Sequence, residues 1–186
     1  MLRIPNLEEI QSKLLEVLTL IDRYAARNPA FLNGVLSWFG EIEGVLQRNR
    51  LVIVSEIASM RGTIISAQRG QSLAQTDHPG RVATRRAAEA AAAQMMRSAV
   101  DVITKRLDRD IILINKAEES TYELVIVGRQ LKIIPADAGT SSSSASLRLL
   151  WDELTANEVT GKYTTYIRTI VGRGDALILL DRVLGK

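Results

Sequence analysis

Apolar residues recur along most of the chain at alternating steps of three and four, the period of an α-helix. Residues 7–27 show it most plainly, with Leu7, Ile10, Leu14, Val17, Ile21 and Tyr24 on one seam three heptads long. Leu15, Leu18 and Leu20 widen that seam, which suits packing against several helices rather than in a narrow two-stranded coil. Asn6 is the expected N-cap, with Glu8 and Glu9 in the first turn. Asn28-Pro29 breaks the helix, because a residue before proline avoids the α region. A second seam runs through Leu32, Val35, Phe39, Ile42 and Leu46 and resumes as Ile53, Ile57, Met60 and Ile64. The two parts are joined by an extra step of four near residues 49–54, a stutter that locally unwinds a coil. The run "LVIV" at 51–54 has strand character but sits inside helical periodicity. The expectation is one long, kinked helix over 30–74.

"QTDHPGR" at 75–81 is a turn signal. An alanine-rich stretch of high helix propensity follows, and Met96, Val100, Ile103, Leu107, Ile111 and Ile114 carry its apolar face onward. The pattern predicts a second long helix running past Glu119 towards Ile134. Over 121–134, "TYELVIVGRQLKII" also has the form of a β-hairpin about Gly128. On a helix, Leu124, Val127, Gly128 and Leu131 share a face, and helix is the preferred reading. Pro135 ends the element, and the serine-rich 135–146 reads as a flexible loop. Beyond it, Ser146 precedes "LRLLWDEL", "TANE" at 155–158 is a capping box, and Tyr163, Tyr166, Ile167 and Ile170 line a face. Gly172 and Gly174 stop that helix, and Asp175 is the expected cap of a last one ended by Gly185.

The fold class is therefore all-α: an antiparallel helical bundle with two long helices and short C-terminal helices. The alternative is α+β with a small β-hairpin at 121–134. The expected organisation is a long-helix bundle over 1–134, the serine-rich loop at 135–146, and short helices over 147–186 packing on the same domain.

Composition narrows the chemistry. The chain has 186 residues, 46% of them hydrophobic, enough to bury a core without disulfides or metals. No apolar run reaches the length of a transmembrane helix. Acidic residues stand where a signal peptide keeps its apolar stretch, so no secretory leader is expected. The absence of cysteine removes thiol catalysis, Fe–S clusters and thiolate zinc sites, and it fits a cytoplasmic location. The net charge of +3 comes from 24 basic and 21 acidic residues spread evenly, unlike a dedicated nucleic-acid arm.

Few residues then qualify as a site. The tetrapeptide IVGR occurs at 126–129 and at 170–173, but each copy lacks the glycines and lysine of a phosphate loop. Local punctuation is the expected role of both. The single histidine, His78, lies in a turn and cannot build a histidine-rich metal site. The carboxylate pairs Glu8/Glu9, Glu41/Glu43, Asp108/Asp110 and Glu118/Glu119 are one or two residues apart, do not share a helix face, and read as solvated. No Glu-x-x-His motif or nucleophile elbow is present. Arg81, Arg85, Arg86 and Arg97 form a basic set at the start of the second long helix, a candidate contact for nucleic acid or an acidic partner. Trp38 and Trp151 are candidate interface residues, with core packing as the simpler role.

Two functions fit this reading. The first is a non-enzymatic helical protein–protein interaction or assembly subunit, because a helix of ~40 residues spans about 60 Å and its seam extends past any compact body. The second is a small helical subunit of a nucleoprotein complex, contacting the DNA or RNA backbone through the arginines. The expected partners are copies of itself or other protein subunits, with nucleic acid as the alternative and no membrane. No catalytic, metal or cofactor-binding residue is identified.

Overall fold

A computed structural model describes residues 1–70, 81–135, 138 and 144–185, without the side chains of 81–83. The turn with Asp77 and His78, and most of the serine-rich loop, lie outside the described residues. Six helices make up the rest: α1 (Ile4–Ala25), α2 (Phe31–Arg48), α3 (Val54–Gln68), α4 (Arg81–Gln130), α5 (Ser144–Ala156) and α6 (Thr160–Leu184). The chain is an all-α helical bundle, and no strand occurs among the described residues. Residues 121–130 continue α4 as helix, so the hairpin alternative is not formed.

The chain divides into two compact units, Pro5–Leu107 in one and Met1–Ile4 with Asp108–Lys186 in the other. The division falls inside α4 and not at the serine-rich loop.

In the Pro5–Leu107 unit, α1 and α2 pair antiparallel. Three links run down α1 as they run up α2. Tyr24 packs against Phe31 with ring centroids 4.9 Å apart. Lys13 bonds Glu41 at 2.6 Å while its carbonyl accepts Trp38 Nε1–H at 2.7 Å. Arg48 reaches Glu9 at 2.6 Å. The buried face of α2 is broad: Phe31, Val35, Trp38, Phe39, Ile42, Val45 and Leu46. Such a width lets α2 pack against more than one helix. From α4, Ala88, Ala92 and Ala99 are fully buried along with Ile103. The alanine-rich stretch thus supplies a narrow buried face besides its helix propensity.

Two expectations fail in this unit. The helix expected over 30–74 is broken between Arg48 and Val54. Arg50 takes a left-handed conformation (φ 53°). Its N–H bonds Gln47 O, and Leu51 N–H bonds Leu46 O, the paired bonds of a Schellman ending. The stutter in the apolar pattern is the sequence trace of this break. On α1, Ile21 and Tyr24 are half-exposed while Leu20 is buried. A straight helix drifts ~20° per heptad against a strict heptad seam, and in the third heptad Leu20 faces inward instead.

In the other unit, α5 and α6 pack on each other, Leu154 of α5 approaches Gly128 of α4, and Leu124, Trp151, Leu154, Ile167, Leu179 and Leu180 are buried. Helix α4 also ends in a Schellman motif, with Lys132 at φ 58° and Ile133 N–H returning to Gly128 O at 2.9 Å. Gly128 is buried at this ending. A Cβ there would stand 2.7 and 2.9 Å from Ile134 side-chain carbons. The expected capping box at 155–158 does not form. Thr155 donates its hydroxyl back to Trp151 O, and Asn157 Oδ1 accepts the N–H groups of Val159 and Thr160 instead. Asn157 makes the better cap because its short carboxamide reaches both donors at once. Within α6, Gly172 breaks the helical dihedrals (φ 78°, ψ 164°), a region open essentially to glycine.

Candidate functional site

Both tryptophans are core residues, each 2% exposed, so neither stands on an exposed interface. Their bulk fills the centres of the two units, and Trp38 satisfies its indole N–H on Lys13 O.

The four arginines of the sequence reading do not form one stripe. At about 100° per residue, Arg86 and Arg97 lie ~20° apart round α4, but Arg85 lies ~100° from Arg86. Asp101 and Asp108 fall close to the Arg86–Arg97 line, so that face is of mixed charge. Arg81 opens α4, and its side chain lies outside the described residues. Arg97 is exposed.

The structure instead gathers arginines from two helices. An open groove of about 1460 Å³ is bounded by the end of α1, the α1–α2 turn, the end of α3 and the first turns of α4. Arg23, Arg27, Arg85 and Arg86 line it, with Tyr24 and Asn33. Arg85 Nε is paired to Glu89 at 2.8 Å. Arg23, Arg27 and Arg86 have no carboxylate partner among the described residues. Arg27 is the left-handed residue (φ 51°) of another Schellman ending, with Asn28 N–H bonded to Arg23 O. Its charge therefore sits at the negative end of the α1 dipole, which favours it there. Arg23 and Arg27 were missed because residues on separate helices leave no periodic trace. The one signal was two arginines flanking a helix ending just before Asn28-Pro29.

A second feature is a pair of buried carboxylates. Asp110 and Asp175 are 4% and 3% exposed. Asp110 Oδ2 accepts Leu2 N–H, and Asp175 Oδ2 accepts Ile4 N–H, both at 3.2 Å. Arg3 Nε lies 3.5 Å from Asp175 Oδ1. Two expectations change here. Asp110 is not on a solvated face, and the Asp175 carboxylate serves the start of α1 instead of capping its own helix. Asn6 in turn lies inside α1, whose first turn takes its acceptor from Asp175. The role of these carboxylates is structural: they satisfy backbone donors that would otherwise be buried unpaired.

Three ion-pair members, Lys13, Glu41 and Glu43, have shifted pKa values. Hydrogen bonds donated to Glu16 and Glu41 raise the Lys13 ammonium above its usual value. Lys13, then Ser37, lowers Glu41. Burial raises Glu43, against the opposing pull of Arg61 Nε at 2.9 Å. Among the described residues no group of three or more metal-ligating side chains occurs.

Helix α1 also carries exposed apolar side chains. Leu15 is 67% exposed, Leu18 61% and Ile21 49%. At the helical step they fall within ~120° of one another and form a ridge ~9 Å long. Among the described residues, no helix is long and apolar enough to cross a membrane. Against family models, curated proteins and solved structures, the chain matches none.

Proposed function

We propose that the chain is a non-enzymatic helical assembly subunit that binds copies of itself or other protein subunits. The observation that carries this reading is the Leu15–Leu18–Ile21 ridge on α1. These residues continue the helical apolar pattern, yet nothing among the described residues covers them. Covering what remains exposed of each side chain is worth roughly 1–2 kcal/mol, so the ridge contributes about 3–5 kcal/mol per copy. Association costs about 4 kcal/mol or more, so two facing ridges leave at most about 2–6 kcal/mol, a contact of tens of micromolar or weaker rather than a permanent one. Exposed Ile112, Ile126 and Leu149 are further apolar surface open to partners. The proposed location is the cytoplasm, on the absence of cysteine.

Sedimentation velocity over a concentration series tests the proposal. The wild-type chain is expected to sediment above monomer mass as concentration rises. Leu15→Glu with Leu18→Glu is expected to remain monomeric with unchanged helical circular dichroism. A wild-type chain that stays monomeric throughout, or a double variant that associates equally well, would overturn it.

A further inference from the structure

We propose that the arginine-lined groove of the Pro5–Leu107 unit binds single-stranded nucleic acid, gripping its phosphate backbone and stacking a base on Tyr24. This does not rest on the α1 ridge, which involves other residues of the same helix.

Among the described residues the groove holds four arginines against one glutamate. Three of the guanidinium groups have no carboxylate partner among the described residues. Placing like charges in one groove without counter-charges is unfavourable, and an anionic ligand relieves it. Arg85 and Arg86 also stand near the positive end of the α4 dipole, which adds to the same field. All the cations are arginine, whose planar fork matches phosphate oxygens two at a time.

An acidic peptide would satisfy charge alone. Tyr24 favours nucleic acid. The residue is 46% exposed and lines the groove, and its ring is braced by Phe31 with centroids 4.9 Å apart. A braced, half-exposed aromatic beside unpaired arginines is the arrangement on which unpaired bases stack. Stacking needs bases free of a duplex, so the ligand is single-stranded. Asn33 adds an amide able to meet a base edge.

Fluorescence anisotropy with labelled oligo(dT) and oligo(U), each about 12 nucleotides long, tests this. Three or four phosphate contacts predict an affinity loss of roughly 20- to 50-fold between 50 and 200 mM salt. The triple variant Arg23→Gln, Arg27→Gln, Arg86→Gln is expected to lose most of the affinity and flatten the salt dependence. Lysine at the same three positions is expected to restore much of it. Arg97→Gln, outside the groove, is expected to change affinity by less than about twofold. Tyr24→Ala is expected to weaken binding at least about fivefold while Tyr24→Phe retains it, because the ring face is what stacks. Circular dichroism checks that each variant keeps its helices. No binding at 50 mM salt, or a triple-glutamine variant that binds like wild type, overturns the proposal. So does polyglutamate competing as strongly as the oligonucleotides, which would assign the groove to an acidic protein.

Discussion

Gly128 and Gly172 share the tetrapeptide IVGR, and alanine at each should be destabilising for a different reason. At Gly128 the cause is space. Alanine would gain about 1 kcal/mol of helix propensity. Its Cβ, however, would stand 2.7 and 2.9 Å from Ile134 and 3.1 Å from Leu154. Overpacking of that kind costs roughly 1–3 kcal/mol, leaving a net loss of about 0–2 kcal/mol. At Gly172 the cause is the backbone. No atom lies within 4 Å of a Cβ there, but φ is +78°. The strain is of order 1–3 kcal/mol, reduced by up to about 1 kcal/mol through the stiffer unfolded chain. A double-mutant cycle with Ile134→Ala separates the two, read as urea midpoints at constant slope. In the Ile134→Ala background Gly128→Ala should become neutral or stabilising by up to about 1 kcal/mol, because the two carbons nearer than 3 Å are gone and only the 3.1 Å approach of Leu154 remains. Gly172→Ala should cost the same in either background, and a loss of 2 kcal/mol should lower Tm by about 4–8 °C. If Ile134→Ala leaves the cost of Gly128→Ala unchanged, steric crowding is not its cause. If Gly172→Ala is as stable as wild type, the backbone argument fails.

Removing the Asp175 carboxylate with Asp175→Ala should cost about 1.5–3 kcal/mol, because Ile4 N–H loses a charge-assisted bond inside the protein; Asp175→Asn, which keeps an acceptor, should cost less, and faster amide exchange at Ile4 should accompany both. Arg50→Gly and Lys132→Gly should be neutral or stabilising by up to about 1 kcal/mol, since both positions have positive φ, whereas alanine at either should give no gain. Thermal melts of the four variants check this. The carboxyl resonance of Glu41 should titrate below, and that of Glu43 above, the ordinary value of about 4.3. The signs are opposite: the Glu41 contribution to stability is lost as pH falls through its lowered folded pKa, while Glu43 contributes at low pH and loses that contribution as pH rises through its raised one. Equal titration of the two by carboxyl NMR would contradict both assignments.

What could be read from the sequence was whatever the chain encodes within a few turns of itself. The steps of three and four gave the helices, including 121–130, where β-branched residues on both sides of Gly128 imitate a hairpin. There the apolar face through Leu124 was continuous with the helix before it, and packing outweighed local strand preference. The stutter near 49–54 was legible as a disturbance but not as a break. Nothing in "RNRLV" marks Arg50 as left-handed, because arginine carries none of glycine's signal for that conformation. Long-range pairings left still less trace. Asp110 and Asp175 meet backbone donors 108 and 171 residues away, so each looked like an ordinary surface or capping carboxylate. The groove follows the same logic. Arg85 and Arg86 were legible as a basic pair, but what makes them more than a solvated turn is Arg23 and Arg27 at the end of another helix. The even spread of charge along the chain is therefore a poor guide to its spread in space. Folding concentrates four arginines where the sequence keeps them some sixty residues apart.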